Sequence, residues 1–150
     1  MIEEIVVDTN VFIVSLVEES SLDPEGKSQR PLALTYIDGL EPGNYLIHLP
    51  RIAIIAILGV ARAITGAGLA SAIKRRLTRW VGMGLIRLYD LDETRMVSAI
   101  ELVIQHNVSR RSSLSAPDAT FICLAEELGV TLVTFEKKFK RVTGRALVPA

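Results

Sequence analysis

The sequence has too few cysteine and histidine residues to predict a disulfide framework or a histidine metal site. Cys123 is the only cysteine, so no internal disulfide can form, and we expect a reducing, intracellular compartment. His48 and His106 are the only histidines, and they lack the spacing of metal ligands. The 17 Lys and Arg residues balance the 17 Asp and Glu residues. This neutrality argues against a protein whose main task is to coat nucleic acid, although it leaves room for a local basic patch.

The sequence also lacks a long hydrophobic run. Its most apolar stretch, residues 52–61, is about half as long as a membrane-spanning helix, and Arg51 and Arg62 bracket it. We interpret it as a buried helix. The amino terminus has no basic region followed by an apolar run, so we expect no signal peptide. These features predict a cytoplasmic protein with no membrane partner.

The residues that are present predict one folded domain. The chain has 150 residues, of which 49% are hydrophobic, enough for a core of ordinary size. No internal repeat or linker divides it, so residues 1–150 are expected to form a single domain.

Apolar, β-branched runs alternate with longer helical segments along the chain. Strands are predicted at residues 5–7, 45–49, 85–89, 131–134 and, less clearly, 146–148. Helices are predicted at about residues 11–19, 31–38, 51–64, 69–81, 92–107 and 117–129, with a surface loop at residues 20–30. Such alternation predicts an α/β fold with a mostly parallel sheet that helices cover on both faces.

Three acidic residues fall where ligands bind in such a fold, at the carboxyl edge of the sheet. Asp8 directly follows the first strand, and Glu136 follows the fourth strand by two residues. Asp118 lies in the first turn of the helix that leads into that fourth strand. We therefore expect these three side chains to converge at one end of the sheet.

Carboxylates that converge repel each other unless a cation lies between them. Their hard oxygen ligands suit Mg²⁺ or Mn²⁺, which can lower the pKa of a bound water and neutralise charge on a phosphate. Asn10 could add a neutral oxygen or a supporting hydrogen bond, and Thr134 and Ser115 could orient the carboxylates.

Each acidic residue also has a plainer interpretation. Asp8 alone is compatible with a simple helix cap. Asp118 follows Pro117 at a helix start, where the helix dipole favours a negative charge. Glu136 is compatible with an exposed position in a charged turn. The metal-site hypothesis therefore depends on all three residues lying at the same end of one sheet.

Three motifs resemble those of the PIN domain family, especially its VapC-like toxins. Residues 6–12, Val-Val-Asp-Thr-Asn-Val-Phe, are similar to the family's opening strand and first catalytic Asp. Residues 115–125, which begin Ser-Ala-Pro-Asp-Ala-Thr, resemble its third acidic motif. Residues 128–139 resemble its last motif, a strand that ends in Thr-x-Asp. The resemblance covers essentially the whole chain.

This resemblance implies a three-layer α/β/α sandwich with a five-stranded, mostly parallel sheet. It also implies an Mg²⁺- or Mn²⁺-dependent endoribonuclease that forms homodimers and, as a toxin, binds a small antitoxin protein. Asp8, Asp118 and Glu136 would be its catalytic and metal-binding residues.

Two departures from the family pattern put catalysis in question. The family usually has a Glu in the helix after the second strand, and Ala56 stands at that position. Its final Asp is replaced by Glu136, which is one methylene longer. The expected four-carboxylate site therefore has at most three members, so metal affinity should fall.

Basic clusters provide candidate contacts to RNA phosphates. These residues are Lys74, Arg75, Arg76, Arg79, Arg110, Arg111 and Lys137. A solvated helix face explains the cluster at residues 74–79 equally well.

Three functions remain open from the sequence. The first, which the motifs favour most directly, is a metal-dependent endoribonuclease of the VapC toxin type. The second is a catalytically impaired PIN scaffold that binds RNA or a protein partner, which Ala56 favours. The third is a phosphatase similar to the haloacid dehalogenases. That family needs a second Asp two residues after the first, where this chain has Asn10.

Overall fold

A computed structural model describes residues 1–107 and 113–150 of the chain. Arg110 and Arg111, two of the predicted RNA contacts, lie outside the described residues. In the described part of the chain, no helix has both the length and the apolar character needed to span a membrane.

Five parallel strands form one sheet in the order β3-β2-β1-β4-β5. The strands are β1 (Glu3–Val7), β2 (Tyr45–Pro50), β3 (Ile86–Tyr89), β4 (Thr131–Val133) and β5 (Ala146–Leu147). Strand β1 lies at the centre, and its residues Ile5, Val6 and Val7 are fully buried. A continuous apolar run is what a strand covered on both faces requires. The predicted five-stranded parallel sheet is thus confirmed, with strand bounds shifted by one or two residues.

In residues 1–107 and 113–150, six α-helices connect the strands. They are α1 (Thr9–Leu16), α2 (Pro24–Ile37), α3 (Ile52–Thr65), α4 (Ala67–Gly82), α5 (Glu93–His106) and α6 (Ala116–Leu128). Helices α1 and α2 connect β1 to β2, and α3 and α4 connect β2 to β3, so the chain moves toward one edge of the sheet. Helices α5 and α6 then lead back to β4 on the other side of β1. Because parallel crossovers are right-handed, this reversal puts the two groups of helices on opposite faces. The three-layer α/β/α architecture is confirmed.

The loop predicted at residues 20–30 is wrong, because most of that segment is helical. A 3₁₀ turn covers Glu19–Ser21, and α2 then begins at Pro24 instead of Pro31. The Asp23 side chain caps α2, accepting a hydrogen bond from the Gly26 N–H at 2.7 Å. Pro24 suits the first helical position, where no intrahelical N–H bond is needed.

A tertiary contact supports the extended α2 despite the proline within it. Arg30 lies just before Pro31, and its Nη1 donates to the backbone carbonyls of Val14 at 2.9 Å and Val17 at 2.5 Å. These bonds satisfy carbonyls at the end of α1, which a helix leaves without partners. The long-range contact therefore ties the first half of α2 to α1.

Adjacency of β1 and β4 positions the acidic residues. Val7 is in register with Val133, so Asp8 and Thr134 follow the two neighbouring strands at the same edge. The Asp8 N–H donates to the Val133 carbonyl at 2.9 Å, which continues the sheet hydrogen bonding by one residue. The carboxyl edge of the sheet therefore presents both side chains side by side.

Candidate active site

Asp8 is a buried carboxylate at the start of α1. Only 5% of the residue is exposed. Its Oδ1 accepts a hydrogen bond from the Thr9 N–H at 2.7 Å, so Asp8 is the N-cap residue of α1. The helix cap and the place at the sheet edge are therefore two roles of one side chain.

Thr134 holds the other oxygen of that carboxylate. Its hydroxyl, which is fully buried, donates to Asp8 Oδ2 at 2.7 Å. The same oxygen of Thr134 accepts a hydrogen bond from the Glu136 N–H at 3.0 Å. One hydroxyl thus links the end of β1 to the turn that carries Glu136.

The environment of Asp8 favours its neutral form when no cation is present. Burial is the largest cause, and it raises the pKa of Asp8 to about 6 from an ordinary value of 3.8. The hydrogen bonds from Thr134 and Thr9 lower the pKa, whereas the negative charges of Asp118 and Glu136 raise it further. The three carboxylates are therefore close enough to interact electrostatically.

Asp118 is fixed at the start of α6 by a reciprocal pair of hydrogen bonds. The Ser115 hydroxyl accepts from the Asp118 N–H at 3.1 Å, and Asp118 Oδ2 accepts from the Ser115 N–H at 3.1 Å. This capping box satisfies two backbone donors that the helix start leaves free. Lys138 Nζ also lies 3.1 Å from Asp118 Oδ2. Asp118 therefore has a cationic partner in the protein itself.

These acidic side chains line one cavity of about 340 Å³, which we call the acidic pocket. Its lining comprises Asp8, Thr9, Asn10, Ile13, Val14, Ala56, Val60, Pro117, Asp118, Phe121 and Glu136. Glu136 is exposed, whereas Asp8 is buried, so the pocket has a closed side and an open side. The convergence expected from the sequence is thus seen as a shared cavity.

The oxygen donors of the acidic pocket fit a hard divalent cation in their chemistry. The buried Oδ1 of Asn10 makes no hydrogen bond with any residue that the structure describes, and a lone amide oxygen of this kind is a suitable ligand. Mg²⁺ is often held by one or two carboxylates, with water completing its shell. Across residues 1–107 and 113–150, however, no group of three or more His, Cys, Asp or Glu side chains is arranged to hold a metal ion.

Ala56 explains part of this incomplete arrangement. It lies on α3 and lines the acidic pocket, at the position where the resemblance leads one to expect a Glu. An alanine offers no ligand, so the α3 side of the pocket contributes only apolar surface. A cation held here would depend on Asp8 and the open side of the pocket.

The basic residues of α4 line a separate, open groove of about 540 Å³, which we call the basic groove. Its lining comprises Ser71, Lys74, Arg75, Thr78 and Arg79. Arg79 pairs with Glu41 at 3.2 Å. Glu41 lies in the segment before β2, so this end of the basic groove lies toward the amino edge of the sheet. Arg76 stacks on buried Trp80, 4.8 Å from the ring centroid. None of the described lining residues is shared with the acidic pocket.

Lys137 and Lys138 lie in a 3₁₀ helix, Lys137–Arg141, after Glu136. Lys137 is exposed, and Lys138 makes the ion pair with Asp118. The sequence places Lys138 in a charged turn but does not predict its ion pair with Asp118. The signal available in the sequence is that Lys138 lies two residues after Glu136, but the ion pair with Asp118 depends on how the turn folds.

A parallel α/β sheet with an acidic pocket at its carboxyl edge defines a class of proteins that bind ligands where the strands end. A family model described as "PIN domain" matches residues 5–145. The chain therefore belongs to the PIN domain family, and the resemblance noted from its motifs is confirmed. No curated protein sequence matches the chain significantly.

Solved structures share this fold at low sequence identity. VapC20 from Mycobacterium tuberculosis, titled a sarcin-ricin loop cleaving toxin, is 16% identical, with a TM-score of 0.69 over 97% of this chain and 99% of that one. FitAcB from Neisseria gonorrhoeae is 18% identical, with a TM-score of 0.62 and 97% of each chain covered. VapBC2 from Rickettsia felis, bound to a DNA fragment from its promoter, is 16% identical, with a TM-score of 0.61 and 97% of each chain covered.

Proposed function

We propose that this PIN-domain protein is an Mg²⁺- or Mn²⁺-dependent endoribonuclease, a VapC-like toxin that hydrolyses RNA phosphodiester bonds. The observation that carries the proposal is the buried Asp8 carboxylate, which shares one cavity with Asp118 and Glu136. Burying a carboxylate beside two others is costly without a cation to compensate their charges. Family membership adds the expectation of nuclease chemistry.

Each residue has a defined part in this proposal. Asp8 and Asp118 would be the principal ligands, and Glu136 and Asn10 would supply further oxygens. A bound divalent cation would activate water and neutralise charge on the scissile phosphate. Thr134 fixes the orientation of Asp8 through its 2.7 Å hydrogen bond, and Ser115 fixes the Asp118 backbone through the capping box.

The partners follow from the same proposal. RNA would be the substrate, with the described basic residues as contacts, Lys74, Arg75, Arg76, Arg79 and Lys137. A small antitoxin protein is proposed as a partner because one structural neighbour is titled a toxin–antitoxin complex from Klebsiella pneumoniae. A homodimer, a cytoplasmic location and a single domain over residues 1–150 remain parts of the proposal.

A catalytically impaired scaffold is the second candidate, and Ala56 is the observation that favours it. Without a carboxylate on α3, Asp8 is the one buried acidic side chain among the residues that line the acidic pocket. Such a protein would bind RNA or an antitoxin without cleaving RNA.

Cleavage of a labelled, structured RNA in Mn²⁺ separates the two candidates. We expect wild-type protein to cleave, and Asp8→Asn to lower the rate by more than roughly 100-fold, because a ligand is lost. Asp23→Asn is the matched control, since Asp23 also caps a helix but lies outside the acidic pocket. Its rate should stay close to that of wild type. Binding without cleavage at high protein and metal concentrations would favour the scaffold.

A further inference from the structure

We propose that Lys138 is a built-in counter-cation of the acidic pocket, which competes with a divalent metal ion for the carboxylate of Asp118. The inference rests on the proposed function, because it presupposes that the pocket takes a metal ion. It adds a residue that sets how tightly this ion is held.

The contacts of Lys138 show a docked ammonium group. Its Nζ lies 3.1 Å from Asp118 Oδ2 and 3.4 Å from the backbone carbonyl of Ser113. Asp118 Oδ2 also accepts the Ser115 N–H at 3.1 Å. Since a carboxylate oxygen accepts two hydrogen bonds through its two lone pairs, both positions on Oδ2 are taken. A metal ion that binds this oxygen must displace Lys138.

The backbone that carries Lys138 is held by the same residues that build the pocket. The turn starts at Glu136, whose N–H donates to the Thr134 hydroxyl at 3.0 Å. Phe139, the next residue, is fully buried, and its N–H donates to the Glu136 carbonyl at 3.1 Å. The backbone of Lys138 is therefore fixed on both sides, next to the acidic pocket.

The charge balance of the pocket gives this ion pair its effect. Three acidic residues line the pocket, and the negative charges of Asp118 and Glu136 act on Asp8. Lys138 neutralises one of the three. A divalent cation that enters therefore meets a smaller net negative charge and a nearby positive charge.

The pair is weak enough to yield to a metal ion. The Lys138 and Asp118 side chains are 36% and 17% exposed, so water screens their attraction. Repulsion between the Lys138 ammonium group and a divalent ion bound near Asp118 should nevertheless lower the metal affinity by about tenfold. Lys138 would thus tune metal binding without preventing it.

Titration of the metal-free protein with Mn²⁺ by calorimetry tests this inference without relying on catalysis. Lys138→Met removes the charge and keeps the apolar stem, and we expect it to bind Mn²⁺ about tenfold more tightly than wild type. Lys138→Arg keeps the charge and should bind as wild type does. Lys140→Met removes an exposed charge from the same turn and is the matched control, with affinity close to wild type.

An Asp8→Asn titration distinguishes failure of this inference from failure of the proposed function. One outcome is that wild type binds Mn²⁺ and Asp8→Asn does not. If Lys138→Met then binds Mn²⁺ no more tightly than wild type, the role of Lys138 is overturned while the metal site stands. If neither wild type nor Lys138→Met binds Mn²⁺, both proposals fail. Binding by Lys138→Met where wild type shows none supports the role of Lys138 and contradicts the proposed metal-dependent activity of wild type.

Discussion

The two sides of the acidic pocket differ in what fixes their carboxylates. On the closed side, the folded sheet determines the position of Asp8, which is buried and receives hydrogen bonds on both oxygens from Thr9 and Thr134. On the open side, Asp118 and Glu136 are more accessible, and the partly exposed ammonium group of Lys138 neutralises Asp118. Burial of the Asp8 carboxylate on the closed side costs folding free energy. On the open side, exposed charges set the local electrostatics.

This difference predicts that substitutions on the closed side alter stability and chemistry together. Substitutions on the open side should alter metal or RNA binding with little effect on folding, because exposed ion pairs contribute little to stability. The predictions that follow test this contrast, from the largest expected change to the smallest.

The pH dependence of stability should report the burial of Asp8. The folded-state pKa of Asp8, about 6, lies above the ordinary value of 3.8, so the folded protein binds its proton more tightly than the unfolded chain. This contribution to stability is fully present below the ordinary pKa and is lost as the pH rises through about 6. For metal-free protein, the loss amounts to about 3 kcal/mol.

Urea unfolding of wild type and Asp8→Asn at pH 4 and pH 7.5 measures that loss. The variant should gain roughly 2.5 kcal/mol relative to wild type between the two pH values, since it cannot titrate at this position and pH 4 lies just above the ordinary pKa of 3.8. A difference between the two proteins that does not change with pH would contradict the assigned burial cost.

Thr134→Val should test the hydroxyl that joins the two sides of the pocket. The substitution preserves shape but leaves Asp8 Oδ2 and the Glu136 N–H each without a hydrogen-bond partner. We expect a loss of about 2 kcal/mol in the free energy of unfolding. Thr131→Val, at the start of β4, is the control and should change stability less. Equal effects of the two variants would show that Thr134 has no special role.

Ala56→Glu should sharpen the contrast by adding a carboxylate to the α3 side. An added negative charge near a divalent ion is expected to raise Mn²⁺ affinity by about tenfold. In metal-free protein, the same charge should repel Asp8 and lower stability. Ala56→Gln provides a control of similar size without charge. If both variants bind Mn²⁺ alike, the position does not face a bound metal ion.

The basic groove should show the smallest effect. Lys74 and Arg75 are exposed, so the double substitution Lys74→Ala/Arg75→Ala should leave stability nearly unchanged. RNA binding should weaken a few-fold, and its salt dependence should fall by about one to two units of slope. Lys27→Ala/Arg87→Ala removes two exposed charges outside the groove as a control. Equal losses in both double variants would indicate only a general charge effect.

Much of the fold could be predicted because its signals are local. The buried run Ile5–Val7 and the alternation of strands with helices are sufficient to predict a parallel α/β sheet. The start of α2 could not be predicted, because Pro31 suggested a helix start. The contacts that extend the helix, from Arg30 to the carbonyls of Val14 and Val17, join residues far apart in the sequence.

Local patterns also predict where two of the acidic residues lie, although their role in a site stays a prediction. Asp8 and Asp118 could be assigned to one edge because strand ends and helix starts follow from local patterns. The pairing of Lys138 with Asp118 could not, because it depends on the fold of the turn after β4. Arg79 also has a partner distant in the sequence, Glu41, that no local pattern indicated.

Anomalous scattering from crystals soaked in Mn²⁺ tests the central claim most directly. We expect one peak in the acidic pocket, within about 2.5 Å of carboxylate oxygens of both Asp8 and Asp118. A peak that contacts only one of these side chains, or no peak in the pocket at saturating Mn²⁺, would contradict a shared metal ion.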